Sequence, residues 1–317
     1  MSTKSPATIL RANSIGCFTY DQLAQPGRGR VLGSTSSGVF CLTASQRILF
    51  LTTEKRLGPL NIILDSMQEI SSSCWLTAEL VQSPDSLVFP TLGIQVNLAN
   101  AKTWQPPPLP LVKTTAKERG ESIQVIAREV LHFKRETILL PILKWLVNPF
   151  LQIVTPFISR FDWIEKREEL SRAIQLNEPR RAALAFHPFL GMGTGLTPSG
   201  DDFICGFLLA LSRWQSLLCP RFDLDKLGAL LIIEARRSTT LLSASLVECA
   251  SLGLADAGIL SVLDTLFTGQ MDVLQASDIL LSYGSSSGLD VFAGMVTALE
   301  ISIYHHDKEK SPQNRGD

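Results

Sequence analysis

The sequence predicts an α+β protein: a β-rich, barrel- or sandwich-like N-terminal domain, then a mainly α-helical C-terminal domain with an internal helix repeat. Three observations carry that expectation. Residues 8–105 hold short apolar runs separated by turn residues at roughly 8–12-residue spacing, the pattern of a sandwich or barrel. Pro106, Pro107, Pro108 and Pro110 then exclude both a continuing helix and a central strand. Beyond them, apolar residues recur at helical spacing. The predicted organisation is a β-rich domain at 8–105, a proline-rich linker at 106–112, a helical domain at 113–304 and a polar tail at 305–317.

The strands follow in order. Gly27-Arg28-Gly29-Arg30 leads into Val31–Gly33, and Gly38–Leu42, Ile48–Leu51, Asn61–Leu64, Leu87–Phe89 and Ile94–Leu98 come after it. Gly58-Pro59 and Ser83-Pro84-Asp85 punctuate them as turns. In the C-terminal part, the periodicity predicts helices over Ala116–Phe133, Trp163–Gln175, Phe203–Leu217, Leu224–Arg237, Leu241–Leu252, Ile259–Thr268, Ala276–Tyr283 and Asp290–Tyr304. A short helix starts at Asn177-Glu178-Pro179.

Composition narrows the function classes. Hydrophobic residues make up 45% of the 317, enough for a real core. With 29 basic and 30 acidic residues, no basic footprint for nucleic acid exists. The six cysteines show no CxxC or Cys/His metal spacing, and the polar start Met1–Pro6 is no secretory signal. Reduced thiols in the cytoplasm follow from that pattern. Thr137–Ile158 is the one membrane candidate, but Pro141, Pro149, Pro156, Lys144, Asn148 and Gln152 interrupt it. It reads as broken helices and not as a span, which needs about 20 mostly apolar residues.

The stretch Gly191–Gly206, GMGTGLTPSGDDFICG, is the richest in chemistry. It echoes 88 residues later: Ser199, Gly200, Asp202 and Gly206 align with Ser287, Gly288, Asp290 and Gly294. Both copies read S-G-x-D-x-x-x-G and then an apolar run. Helix capping alone explains Ser-x-x-Asp, with each serine as N-cap and each aspartate in the first turn. Three features exceed capping. Gly200 and Gly288 have no propensity reason to stand at a helix start, so they admit a close approach to the backbone. Gly191, Gly193 and Gly195 bare the entry loop. Asp201 adds a carboxylate that no capping box requires. Gly206 and Gly294 lie one turn beyond Asp202 and Asp290, so the two repeat helices are expected to cross there and bring both carboxylates to one place.

A bare helix start binds anions through its N–H groups, but neighbouring carboxylates repel a naked phosphate. Either Mg²⁺ intervenes, held by Asp201, Asp202 and Asp290, or the ligand offers N–H donors to the aspartates and an anionic end to the helix N-terminus. The candidate catalytic residues are those three aspartates. The candidate substrate contacts are Gly193, Gly195, Thr197, Ser199, Gly200, Arg237, Thr239, Thr240, Ser287 and Gly288. Arg237 supplies a carboxylate- or phosphate-binding fork, and Thr239 and Thr240 supply hydroxyls. No Walker A, GxSxG or HExxH pattern occurs.

GTGLTPSGDDFICG, the Thr239-Thr240 segment and the second Ser-Gly-x-Asp turn together resemble a bacterial family, long described only as a domain of unknown function, that includes AllH, a subunit of oxamate carbamoyltransferase. Ser34–Gly38 departs from it in lacking a histidine-containing stretch. The resemblance implies a part in oxalurate or related ureide breakdown within purine and allantoin catabolism: oxalurate and phosphate give oxamate and carbamoyl phosphate, in a complex with other subunits. The expected partners are thus a small anionic substrate and those subunits, with self-association open and with neither nucleic acid nor membrane. Two alternatives stand beside a carbamoyltransferase component. One is a non-catalytic interaction subunit whose glycines only build a tight helix crossing. The other is a metal-dependent hydrolase of a small phosphorylated compound.

Overall fold

A computed structural model describes residues 8–66, 75, 78–133, 135–148 and 163–310, with side chains as far as residue 301. The prolines at 149 and 156 in the interrupted apolar run lie outside the described residues. The chain forms two compact units: Met1–Pro107 with Ala255–Ala257, and Pro108–Leu254 with Gly258–Asp317.

Among the described residues of the first unit, nine strands and one helix follow in order: β1 (Thr8–Gly16), α1 (Cys17–Leu23), β2 (Gly27–Thr35), β3 (Gly38–Leu42), β4 (Ile48–Thr52), β5 (Asn61–Leu64), β6 (Glu79–Ser83), β7 (Ser86–Phe89), β8 (Ile94–Asn97) and β9 (Lys102–Trp104). The sheet order is β5-β4-β3-β2-β6-β7-β8-β1-β9, and β5 also pairs with β1. That last pairing closes eight strands into a barrel, with Ile15 opposite Ile62 and a bulge between Ala12 and Ser14. Closure removes the sheet edges that would otherwise pair with other chains. β1 is the keystone, because its first half runs parallel to β8 and its second half parallel to β9. Strands β6, β7 and β8 alternate buried and partly exposed residues, as a sheet with one face on a core must. The interior is aliphatic, built from residues such as Leu10, Val31, Leu49, Leu51, Ile62, Leu80 and Leu87. Trp75 meets Phe89 edge to face within it, ring centroids 4.9 Å apart.

Composition predicted a barrel or sandwich here, and register decides for the barrel. β1, β6 and β9 were not individually legible. Thr8–Gly16 mixes Arg11, Asn13 and Ser14 with its apolar residues, and β9 is three residues long.

The second unit is helical. It contains α2 (Ala116–His132), α3 (Leu140–Val147), α4 (Trp163–Gln175), α5 (Pro179–Phe186), α6 (Ser199–Arg213), α7 (Gln215–Leu218), α8 (Leu224–Ser238), α9 (Leu241–Ser251), α10 (Ala257–Thr268, whose first residue falls in the other unit), α11 (Val273–Leu281) and α12 (Ser287–Lys310). A capping box starts α2, where Thr115 and Glu118 satisfy each other's backbone N–H. Helix α12 runs past Tyr304 to Lys310.

Helix α6 is the centre of this unit: every residue from Ser199 to Leu211 is buried. It packs on α12 and α9. A Cβ on Gly206 would overlap the carbonyl oxygen of Val291, and one on Gly294 would overlap that of Phe203. Each glycine thus admits the other helix's backbone, and the two repeat helices cross where the duplicated glycines stand. An aromatic layer seals one end of the crossing, with Phe189 stacked on Phe203 at 4.7 Å and Trp163 edge-on to Phe203. At the far end of α6, Arg213 forks onto Asp264 through bonds of 2.6 and 2.5 Å. Among the described residues no helix is long and apolar enough to cross a membrane.

Candidate functional site

The crossing of α6 and α12 brings the two repeat turns together at their N-terminal ends. Asp202 is 4% exposed and Asp290 is fully buried, so two carboxyls share one enclosed place. The repeats exchange partners. The Asp202 carboxylate is favoured by the hydroxyls of Ser287 and Thr197, and the Asp290 carboxylate by those of Thr137, Ser199 and Ser286. The serine of each repeat therefore serves the aspartate of the other. Thr197 and Ser287 also meet directly, their oxygens 3.1 Å apart.

This corrects the capping-box reading. Helix α6 begins at Ser199 itself, its N-cap is Pro198, and no side chain caps it. Ser199 is one residue too far into the helix to cap it, so its hydroxyl turns to Asp290 instead.

The glycines next to the serines are also explained from within. A Cβ on Gly200 would overlap the Phe189 carbonyl, and one on Gly288 the Leu280 carbonyl. The close backbone approach expected at these positions comes from the protein's own chain. The loop glycines differ. Gly191, Gly193 and Gly195 all have positive φ, and a Cβ on Gly195 would meet open space. The tip Gly193–Leu196 is exposed, while Thr137, Thr197, Ser286 and Ser287, whose hydroxyls serve the carboxyl pair, are half-buried.

Asp201 faces elsewhere, as adjacent residues on a helix must. Its Oδ1 accepts from the Gly191 N–H at 2.8 Å and its Oδ2 from the Thr239 hydroxyl. It thus ties the glycine loop to the start of the Thr239 segment. Thr240 donates to the Leu196 carbonyl at 2.7 Å and caps α9 by accepting from the Ser243 N–H. Both threonines, expected as substrate contacts, hold the loop in place. Arg237 is largely exposed and pairs with Glu234 at 3.5 Å, so the structure does not bring it to the carboxyl pair.

Electrostatically the site disfavours two full negative charges. Burial raises the Asp290 pKa to about 6 against the favourable hydroxyls around it. Burial pushes Asp202 well above the usual carboxylate range, and the charge of Asp290 pushes it further. Asp201 is raised by burial more gently, because the Gly191 N–H and nearby hydroxyls favour its charge. The Oδ2 atoms of Asp202 and Asp290 are buried without a hydrogen-bond partner. A buried, unpaired carboxyl oxygen costs about 1–3 kcal/mol, so the pair is chemically unfinished. Burial thus favours keeping a proton on the pair, which then offers acceptor oxygens and an acid O–H side by side. The three aspartates do not converge as a metal set, since both Asp201 oxygens are engaged by the protein. Among the described residues, no group of three or more His, Cys, Asp or Glu could hold a metal ion.

Thr137 and Ser286 were missed in the sequence. Ser285-Ser286-Ser287 is a visible polar run, so Ser286 was within reach of inspection. Thr137 carried no signal, because only the fold returns the α2–α3 connection to the start of α12.

These features define a class: an α+β protein with a closed β-barrel unit and a helical unit whose duplicated Ser-Gly-x-Asp helix starts enclose a hydroxyl-rimmed carboxyl pair. Residues 189–299, which span both repeats, match the family model described as oxamate carbamoyltransferase subunit AllH, the family that the glycine and aspartate motif resembles. No solved structure matches this chain.

Proposed function

We propose that this chain is a cytoplasmic subunit of an oxamate carbamoyltransferase-like complex, acting on oxalurate, carbamoyl phosphate or a related small anionic ureide. One observation carries the reading. The segment matching the AllH family model holds two buried carboxyls, each with an unpartnered oxygen, and an exposed glycine loop.

A ureido or carbamoyl group suits that pair. Its N–H groups donate to a carboxylate oxygen, and its carbonyl accepts from the protonated partner. Phosphate suits the pair less well, because its two or nearly two negative charges are repelled by a carboxylate. In the reaction an oxygen of hydrogen phosphate attacks the carbamoyl carbon, the bond to the oxamate nitrogen breaks, that nitrogen takes up a proton, and the proton that phosphate gives up restores the acid that supplied it. Asp202 and Asp290 orient the ureido group, Asp202 is the proton source to the departing nitrogen, and the hydroxyls of Thr197, Ser199 and Ser287 hold both carboxyls in register. The backbone of Gly193–Gly195 closes over the ligand. Asp201, Thr239 and Thr240 position that loop.

The test joins binding and turnover. Oxalurate at 100 times its dissociation constant stabilises the chain by roughly 2.7 kcal/mol, readable as a thermal shift. Asp202→Asn is expected to abolish that shift and to lower turnover of the reconstituted complex about 100-fold or more. Retention of both by the variant refutes the assignment.

A second reading, a non-catalytic interaction subunit, draws support from a specific observation: Gly200, Gly206, Gly288 and Gly294 are all approached by the chain's own backbone. It expects no ligand-dependent stabilisation and full turnover with Asp202→Asn. A metal-dependent hydrolase draws no support from the described side chains.

A further inference from the structure

The carboxyl pair leaves one need of an anionic ligand unmet, because among the described residues the groups that act on Asp202 and Asp290 are hydroxyls and carboxyls. The nearest candidate by connection is Arg135. Its Nη1 donates to the carbonyl oxygens of Gly284 at 2.7 Å and Ser285 at 3.2 Å, in the turn that opens α12. Two residues on, Thr137 donates to Asp290 Oδ1. Two residues beyond Ser285, Ser287 meets Thr197 at the rim. Arg135 is therefore fastened to the same turn that carries one half of the site.

The fastening uses one nitrogen of a guanidinium with five N–H donors. The Nη2 and Nε edge, which grips carboxylate or phosphate bidentately, has no hydrogen-bond or ion-pair partner among the described residues. A half-buried arginine held by two carbonyls has already lost much of its rotamer freedom, so an anion meeting its free edge orders little more. Arg237, whose place in the sequence suggested this role, pairs instead with Glu234 at 3.5 Å.

We propose that Arg135 is an oxyanion-binding residue at the rim of the Asp202–Asp290 site, holding the carboxylate or phosphate end of the ligand through its free guanidinium edge. The inference deepens the ureide reading by giving the ligand's anionic end a partner, and its test does not need a ureide. Binding of inorganic phosphate and of oxamate to the full chain is measured separately by calorimetry at low ionic strength. Wild type is expected to bind at least one of them, and Arg135→Gln to weaken that binding at least 10-fold. Loss of phosphate binding alone identifies a phosphate end, and loss of oxamate binding alone a carboxylate end. Equal binding by wild type and Arg135→Gln, or no binding of either anion by wild type, overturns the proposal. If Arg135→Gln does not fold, Arg135→Lys takes its place. It keeps a donor for the turn carbonyls but loses the planar fork, so oxamate or phosphate affinity is expected to fall several-fold at an unchanged unliganded Tm; unchanged affinity is equally fatal. Should oxalurate fail to bind while these anions bind through Arg135, the ureide assignment falls and the oxyanion site stands.

Discussion

At the residue scale, the site turns on two carboxyls that each lack one hydrogen bond. Asp290 makes a pH prediction with a definite sign. Its carboxyl titrates near pH 6 when folded, against 3.8 as the unperturbed value. Between those values the folded chain holds a proton that the unfolded chain has released, so stability falls as pH rises through that window, and the loss is complete above it. Asp290→Asn removes this dependence while keeping an oxygen for Thr137. Relative to wild type, its stability in urea is expected to improve between pH 4 and pH 7 by on the order of 1–3 kcal/mol. A constant difference between the two proteins across that range contradicts the assignment. Thr137→Val tests the other side of the same bond. It keeps the shape of the side chain but removes the first of Asp290's three hydroxyl donors, for an expected loss of about 1–3 kcal/mol at pH 7 in denaturant unfolding. The aspartates were legible as a pair in the sequence because both copies preserve the spacing to a serine before and a glycine after. Their exchange of partners was not legible, since capping within one helix and bonding across two helices use the same residues at the same spacing.

At the element scale, the crossing of α6 and α12 fixes everything else about the site. Its closeness rests on Gly206 and Gly294, where any Cβ collides with backbone that cannot swing aside. Gly206→Ala or Gly294→Ala is expected to cost about 3 kcal/mol, the upper end for overpacking a core, seen as a lower Tm. The double variant is expected to cost clearly less than the sum, because one alanine already forces the helices apart where the second would act. Strict additivity would show that the two glycines do not report on one crossing. The i, i+4 placement of aspartate and glycine made this crossing readable in advance. Gly200 and Gly288 were harder. A glycine that admits a ligand and a glycine that admits the Phe189 or Leu280 carbonyl look alike in a sequence. Thr239 and Thr240 misled for a related reason: hydroxyls beside a candidate site serve a substrate or a loop equally well, and here they tie down Asp201 and Leu196.

At the scale of the whole molecule, each unit stands on a different principle. The barrel unit depends on closure, and closure depends on β1, which pairs with β5, β8 and β9. A chain starting at Cys17 is expected to lose the strand signal of this unit in circular dichroism and to aggregate through the edges left on β5 and β8. Retained strand content and a monomeric truncated chain would refute that dependence. The helical unit depends instead on one buried helix, α6, whose polar first turn is enclosed together with the apolar remainder. The sequence by itself determined the fold class, most helix positions and the pairing of the two Ser-Gly-x-Asp turns, because periodicity and repetition are properties of neighbours along the chain. Tertiary structure alone decided that the β-rich part closes, that each serine serves the other repeat's aspartate, and that Asp201 braces the loop. It also brought Arg135 and Thr137 to the start of α12. Those outcomes depend on register, helix rotation and chain return, and all three are set by which surfaces bury one another across long sequence separations.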